Sequence, residues 1–281
     1  MIELPESHVL ARQLEGALVG RRILHVEAGH APHRFAFFQG DPAAYPLLLE
    51  GLLVDGACAA GGWVELRMGE VRLAFNDGVN LHLFPPDGKI PAKYQLRILF
   101  DDQSSLICSV QMYGALLAFR AGALDNPYYL GSIEKPSPYE AAFDRAYFEG
   151  LLSGCKPSLS VKAFLATEQR IPGLGNGVLQ DILFQARIHP KSKISALAGA
   201  DWDRLFECAK TTLRAMRDAG GRDTEKDLHG QAGGYQTLLS RKTLVYPCPV
   251  CGGPLRRQAF LGGNIYFCPS CQPVAEGRAA P

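Results

Sequence analysis

Apolar positions near the start of the chain recur at helical intervals. Val9, Leu10, Leu14, Ala17 and Leu18 share a face, Pro5 suits a first turn and Gly20 a stop, so the spacing predicts a helix over residues 5–19. From about residue 22 to 120 the period shortens to two. Val71-Leu73-Phe75, Leu81-Leu83, Leu96-Ile98-Phe100 and Leu106-Cys108-Val110 alternate with polar neighbours between Asp, Gly and Pro turns, which predicts an antiparallel β-sandwich or barrel. Glu134-Lys135-Pro136-Ser137-Pro138 breaks that text, and Phe143, Tyr147 and Leu151 then return at intervals of four. The helical pattern runs to about Asp218. A glycine-rich polar stretch, 220–236 at its widest, follows and reads by composition as a mobile loop. The fold class is α+β, with expected domains at 1–134 (sandwich), 135–240 (helical) and 241–281 (cysteine-rich).

Composition narrows the class. With 281 residues, 47% hydrophobic and 20% charged, the chain is long enough for two cores and is neither disordered nor collagen-like. No apolar run approaches the roughly 18 residues of a membrane span, and the acidic start Met1-Ile2-Glu3-Leu4-Pro5-Glu6 is unlike a secretory signal, so a soluble cytoplasmic protein is expected. The net charge of +1 hides a split. Residues 1–150 carry 12 basic against 18 acidic side chains and residues 151–281 carry 17 against 10, so a polyanion would be gripped mainly by the second half.

Two motifs carry chemistry. Cys248-Pro-Val-Cys251 and Cys268-Pro-Ser-Cys271, sixteen residues apart, have the spacing of a four-cysteine zinc site. Four thiolates leave no position for substrate water, so such a metal would be structural; a redox pair is the alternative, and it would not need the duplicate. Leu255, Ala259, Ile265, Tyr266 and Phe267 around Gly262-Gly263 suggest two strands meeting at a turn. The other four cysteines stand alone and read as small buried apolar residues. The second motif, Ile171-Pro172-Gly173-Leu174-Gly175-Asn176, lies between two helical stretches. Amides at Gly175 and the Asn176 side chain would make a phosphate cradle; a plain helix–helix turn fits these residues equally well.

Together, Val161-Lys162, Gly173-Leu174-Gly175-Asn176, Ile188-His189-Pro190, the hairpin ending Phe267-Cys268-Pro269-Ser270-Cys271-Gln272 and the opening Glu3-Leu4-Pro5-Glu6 resemble the formamidopyrimidine-DNA glycosylase and endonuclease VIII family over nearly the whole chain. The resemblance implies a helix-headed β-sandwich facing a helix-two-turn-helix domain with a β-hairpin zinc finger, and duplex DNA containing a lesion in the cleft between them. It implies one structural Zn2+ held by Cys248, Cys251, Cys268 and Cys271, and a monomer without membrane contact. Lys162, Asn176 and Gly175 would be phosphate ligands, and Glu3 the acid working on the sugar. Gln111-Met112-Tyr113-Gly114 is similar to the family's duplex-entering loop, with Tyr113 as a wedge and Gln111 donating to the orphaned base. Glu6 would be a helix N-terminal charge.

The sequence also departs from the family pattern. Ile2 stands where the family exposes a proline amine, which leaves the Met1 α-amine about 3.8 Å away as the nearest candidate nucleophile. The family's sandwich-turn lysine falls at Gly61-Gly62, its finger-tip arginine near Gly263 and its void-filling methionine around Asp77-Gly78. Arg241, Lys242, Arg256 and Arg257 lie close enough to the hairpin to offer other phosphate contacts. Two functions follow: a DNA N-glycosylase with altered or absent lyase chemistry, using Glu3 with water or with Met1, and a catalytically inactive binder of damaged DNA. An RNA-binding protein sharing the double turn fits the sandwich and finger less well.

Overall fold

The computed structural model describes residues 1–275; residues 276–281, the tail of the cysteine-rich segment, lie outside the described residues. Helix α1 (Leu4–Leu18) has Pro5 in its first turn, where a missing amide costs nothing, and stops before Gly20 at φ 85°. Its apolar stripe serves two cores. Leu10, Leu14 and Leu18 pack into the sandwich, whereas Leu4 is fully buried among the helices of the second half.

One sheet has the order β1 (Ile23–Ala28), β7 (Leu96–Phe100), β8 (Ser105–Val110), β6 (Val79–Phe84). The other runs β2 (Ala36–Phe38), β9 (Gly114–Arg120), β5 (Val71–Phe75), β4 (Trp63–Met68), β3 (Gly56–Ala60). Every pair is antiparallel except β2 with β9. All four alternating segments read from the sequence are strands here. β9 escaped that reading because it is covered on both faces: Leu116 and Ala118 enter the main core, while Ala115, Leu117 and Phe119 form a second cluster with Trp63 and Tyr129. A strand buried on both sides has no polar alternation to show. Short helix α2 (Tyr45–Leu49) closes one end, with the Tyr45 hydroxyl donating to the Leu116 carbonyl at 2.8 Å.

The second half comprises α3 (Pro127–Glu134), α4 (Arg145–Gly150), α5 (Val161–Ala166), α6 (Val178–Gln185) and the long α7 (Gly199–Asp218). Trp202, Leu205, Phe206, Ala209, Leu213 and Met216 line one side of α7 and meet Phe143, Phe148 and Phe164 in a core separate from the sandwich. Strands β10 (Arg256–Phe260) and β11 (Gly263–Phe267) pair as a hairpin around Leu261-Gly262.

The stretch after α7 corrects its composition-based reading as a mobile loop. It is anchored at several points. Arg222 bridges Tyr235 and Lys226 bridges Ala232, and the segment reaches back to the sandwich, where Leu228 is fully buried in the core and its carbonyl accepts from Leu83 N at 2.9 Å. Gln13 of α1 completes the tie, donating to Asp227 at 2.8 Å and accepting from Leu228 N at 3.0 Å. Leu4 and Leu228 thus cross in opposite directions between the two cores.

Candidate functional site

The first residues lie where the two halves meet. Ile2 is buried in the sandwich core and its amide donates to the Asp77 carbonyl at 2.5 Å; two residues on, Leu4 N donates to the Gly173 carbonyl at 2.9 Å. This threads Glu3 between the sandwich and the first turn of α6. Its Oε1 accepts from Gly177 N and its Oε2 from Val178 N, both at 2.8 Å, so the carboxylate occupies the positive end of that helix. The approach requires glycine: a Cβ on Gly175 would lie 2.6 Å from Glu3 Oε1.

Arg222 completes this corner. Its side chain is almost fully buried, with Nε and Nη2 donating to the two Glu6 oxygens at 2.9 and 2.8 Å, Nη1 3.5 Å from Glu3 Oε2, and Nη2 3.9 Å from Glu225 Oε1. The other Glu225 oxygen pairs with the Met1 α-amine. Glu6 is therefore not a solvated helix-terminal charge but the bidentate partner of a buried guanidinium. Burial raises the Glu3 carboxyl above its ordinary value, Arg222 opposes that, and Glu6 adds to it. Asp77, next to Ile2, is pushed up to about 6 by burial and by the Glu3 charge, with the amine opposing. A narrow crevice beside the amine is lined by Met1, Ile2, Val79, Asn80, Glu225 and Lys226 among others.

The double turn faces the hairpin. Lys162 on α5 is 4% exposed and donates to the Phe260 carbonyl at 2.6 Å; Asn176 Nδ2 donates to the Asn264 carbonyl at 3.0 Å. Lys191 lies over the Phe260 ring at 5.2 Å. Gly263 packs against the Asn176 side chain, where a Cβ would stand 3.5 Å from Nδ2. Lys242 is spent elsewhere, donating to the Asp223 carbonyl at 3.0 Å, while Arg256 and Arg257 are exposed on β10.

On the sandwich side, Gln111, Met112 and Tyr113 form an exposed tip, with Met112 70% exposed and at φ 64°. Gly78 supports it by close packing: its amide donates to the Tyr113 carbonyl, and a Cβ there would meet the Gln111 carbonyl at 2.0 Å. Gly61-Gly62 abuts the double turn, where a Cβ on Gly62 would lie 3.0 Å from Gly173 Cα. Any larger side chain at that position would separate the two halves.

Among the described residues, one group of side chains is placed to hold a metal. The sulfurs of Cys248, Cys251, Cys268 and Cys271 all lie within 4.8 Å of one another, with Cys248–Cys271 at 3.8 Å and Cys251–Cys268 at 3.5 Å. The edge of a tetrahedron with metal–sulfur bonds of about 2.3 Å is about 3.8 Å, so the donor set fits a four-coordinate soft metal.

The structure thus brings Met1 and Glu3 to one corner, Lys162, Gly175 and Asn176 to the turn–hairpin contact, and Gln111 and Tyr113 to a sandwich tip that adjoins the corner through Asp77-Gly78. Sequence reasoning took Arg222 and Glu225 as loop charges that could read a base edge, gave them no part at this corner, and missed Asp181. Asp181, 1% exposed, accepts from Leu238 N and Leu239 N at 2.8 Å each and so ties α6 to the segment entering the hairpin; burial pushes it up to about 6. Apart from the Arg222–Glu225 contact, the partners of these three lie far along the chain.

The chain was compared with known proteins. No family model matches it. The formamidopyrimidine-DNA glycosylase of Symbiobacterium thermophilum is 31% identical over 287 residues, covering 99% of this chain and 92% of the relative. That of Heliobacterium modesticaldum is 30% identical, covering 97% and 100%. Among solved structures, the MutM (Fpg) protein of Thermus thermophilus superposes with a TM-score of 0.81 at 23% identity, covering 98% and 100%. Lactococcus lactis Fpg in complex with DNA containing an abasic site gives 0.83 at 22%, covering 96% and 99%, so the fold is shared end to end. With a 31%-identical curated relative matched along almost its full length, this chain belongs to the formamidopyrimidine-DNA glycosylase family.

Proposed function

We propose that this protein is a DNA glycosylase of base excision repair, acting on a damaged base in duplex DNA. The observation that carries it is the buried network at the junction of the two halves, in which Arg222 joins Glu3 to Glu225 and Glu225 holds the Met1 amine, in a chain of the glycosylase family. Solved relatives supply the partner class: the Lactococcus protein is held on abasic-site DNA and on DNA with an oxidised pyrimidine. Lys162 spends one of its three ammonium protons on Phe260, leaving two for a phosphate that Asn176 and the Gly175 turn also approach. Gln111 and Tyr113 enter the duplex from the sandwich edge. The four thiolates hold one structural Zn2+, whose chemistry when bound is to close the hairpin against the double turn. No helix of the described residues is long and apolar enough to cross a membrane, and we place the protein in the cytoplasm, on nucleoid DNA.

Glu3 and Met1 are the catalytic pair. Cleaving the N-glycosidic bond leaves positive charge on the sugar, which the Glu3 carboxylate offsets, and C1′ is then taken either by water or by the Met1 amine. The routes differ in product: water releases free base from an intact strand, whereas the amine forms an imine that borohydride traps. A panel of lesion duplexes with both readouts, together with N-terminal mass spectrometry, decides between them. One observation favours a second reading, a binder without chemistry: both Glu3 oxygens already accept amide protons, and the Ile2 nitrogen is a bonded amide. Tight lesion binding with no base release from any duplex would select it.

A further inference from the structure

Arg222 stands at the centre of three carboxylates drawn from two distant segments. Glu3 and Glu6 come from the start of the chain, Glu225 from the same strap as Arg222, and the guanidinium is 3% exposed. The fold makes room for it at some cost. A Cβ on Gly177 would sit 1.8 Å from Arg222 Nη1, and Gly221 before it takes φ 97°. Its backbone amide also donates to Glu6 Oε1 at 3.2 Å, which fixes the root of the side chain as well as its head. The fork is shared: Glu6 takes two side-chain hydrogen bonds while Nη1 is left facing Glu3.

We propose that Arg222 is a positioning residue for base excision, holding Glu3 as a carboxylate against the start of α6 and Glu225 against the Met1 amine. The proposal rests on the glycosylase reading and adds to it the group that sets the charge of Glu3. The charged and titratable groups around Glu3 are Arg222 from the strap, Glu6 from α1, Asp77 from the β5–β6 turn and Tyr113 from the β8–β9 tip, with Glu225 and the Met1 amine joined to it through Arg222. Two cations, Arg222 and the Met1 amine, stand among four carboxyl groups, Glu3, Glu6, Glu225 and Asp77. Removing the guanidinium therefore takes away the main influence favouring ionised Glu3, whereas removing Glu6 takes away a repulsion and frees Arg222 to turn toward Glu3. The two changes act on Glu3 in opposite directions.

The test is the titration of the Glu3 carboxyl, followed by carbon-13 NMR in glutamate-labelled full-length protein, beside the pH profile of single-turnover base release. Arg222→Gln should raise the Glu3 midpoint by about 1–3 pH units, and Glu6→Gln should lower it. Arg222→Lys should restore part of the shift, because it keeps the charge and loses the fork. The limb of the base-release profile that reports Glu3 should move with the titration, with kcat changing more than KM. A Glu3 midpoint unmoved by Arg222→Gln overturns the proposal. If that variant does not fold, a midpoint that stays or rises in Glu6→Gln overturns it instead. A wild-type protein that releases no base from any lesion duplex refutes the glycosylase reading, and the titration still decides what Arg222 does to Glu3.

Discussion

The cysteine hairpin and the charged corner around Arg222 are both small clusters of heteroatoms that hold chain segments together, yet they are built in opposite ways. The hairpin's four sulfurs come from 24 consecutive residues, on two knuckles that the C-x-x-C spacing defines. The corner's groups come from residues 1–6, 177–178 and 222–225, and meet where the two halves join. A local cluster closes a short loop and gains its stability from metal–thiolate bonds. The remote cluster has no metal to offset the desolvation of its charges. It depends on complete pairing, and its loss is felt by both halves at once.

Three measurements break or sharpen that contrast. The largest effect is expected at the hairpin, where structural zinc contributes on the order of 10–16 kcal/mol of apparent binding energy at neutral pH. Chelation, or Cys268→Ser, should abolish amide-exchange protection over 248–272 and weaken lesion-duplex binding by on the order of 100-fold as phosphate contacts are lost, while protection in β4 and β5 stays unchanged. Loss of protection in the sandwich as well would show that the hairpin is not a local unit.

At the corner, Arg222→Gln leaves buried carboxylates without their partner and should cost about 3–5 kcal/mol in denaturant unfolding. Adding Glu6→Gln should recover part of that loss, giving a double-mutant coupling well above the few tenths of a kcal/mol of independent sites. The crossing leucines give a related measure. Leu228→Ala should cost about 2–5 kcal/mol and open residues 220–236 to limited proteolysis, and Leu4→Ala should cost as much without opening them.

The smallest effect is a pH dependence that reports on each region separately. His8, set against Tyr139 near the corner, and His189, set against Phe267 near the hairpin, are each held down to about 4, His8 by burial and then Arg217, His189 by burial and then Lys191. The folded values lie below the unfolded one, so the fold favours neutral imidazole. The associated stability is complete above about pH 6.5 and is lost as pH falls toward 4. Asp77 and Asp181, raised to about 6, act in the opposite sense, and their contribution is lost as pH rises through that value. Thermal melts between pH 4 and 7 on His8→Asn and His189→Asn should each show a shallower acid slope than wild type; an unchanged slope would mean that the imidazole titrates freely.

Much of the site could be read before any tertiary information. The C-x-x-C pairs, the Gly-Leu-Gly-Asn turn and the Glu-Leu-Pro-Glu opening each signal through neighbours a few residues away, and alternation marked four strands whose outer faces are at least partly wet. β9 gave no such signal because both its faces are covered. The 220–236 strap was misread because glycine content reports the freedom of an isolated backbone. Here Leu228, Arg222 and Asp227 spend that freedom on contacts with residues 4–13 and 83.

By itself, then, the amino-acid sequence determined the first helix, four of the sandwich strands, the metal-binding spacing and the family, since each depends on short-range periodicity or on a local set of residues. Only the tertiary structure decided that Ile2 is sealed into the sandwich, that Glu3 is bound by the first amides of α6, and that Arg222 supplies the counter-charge. Those pairings join groups more than 170 residues apart, and burial gives them their strength; neither distance in space nor loss of water is written in the order of the residues.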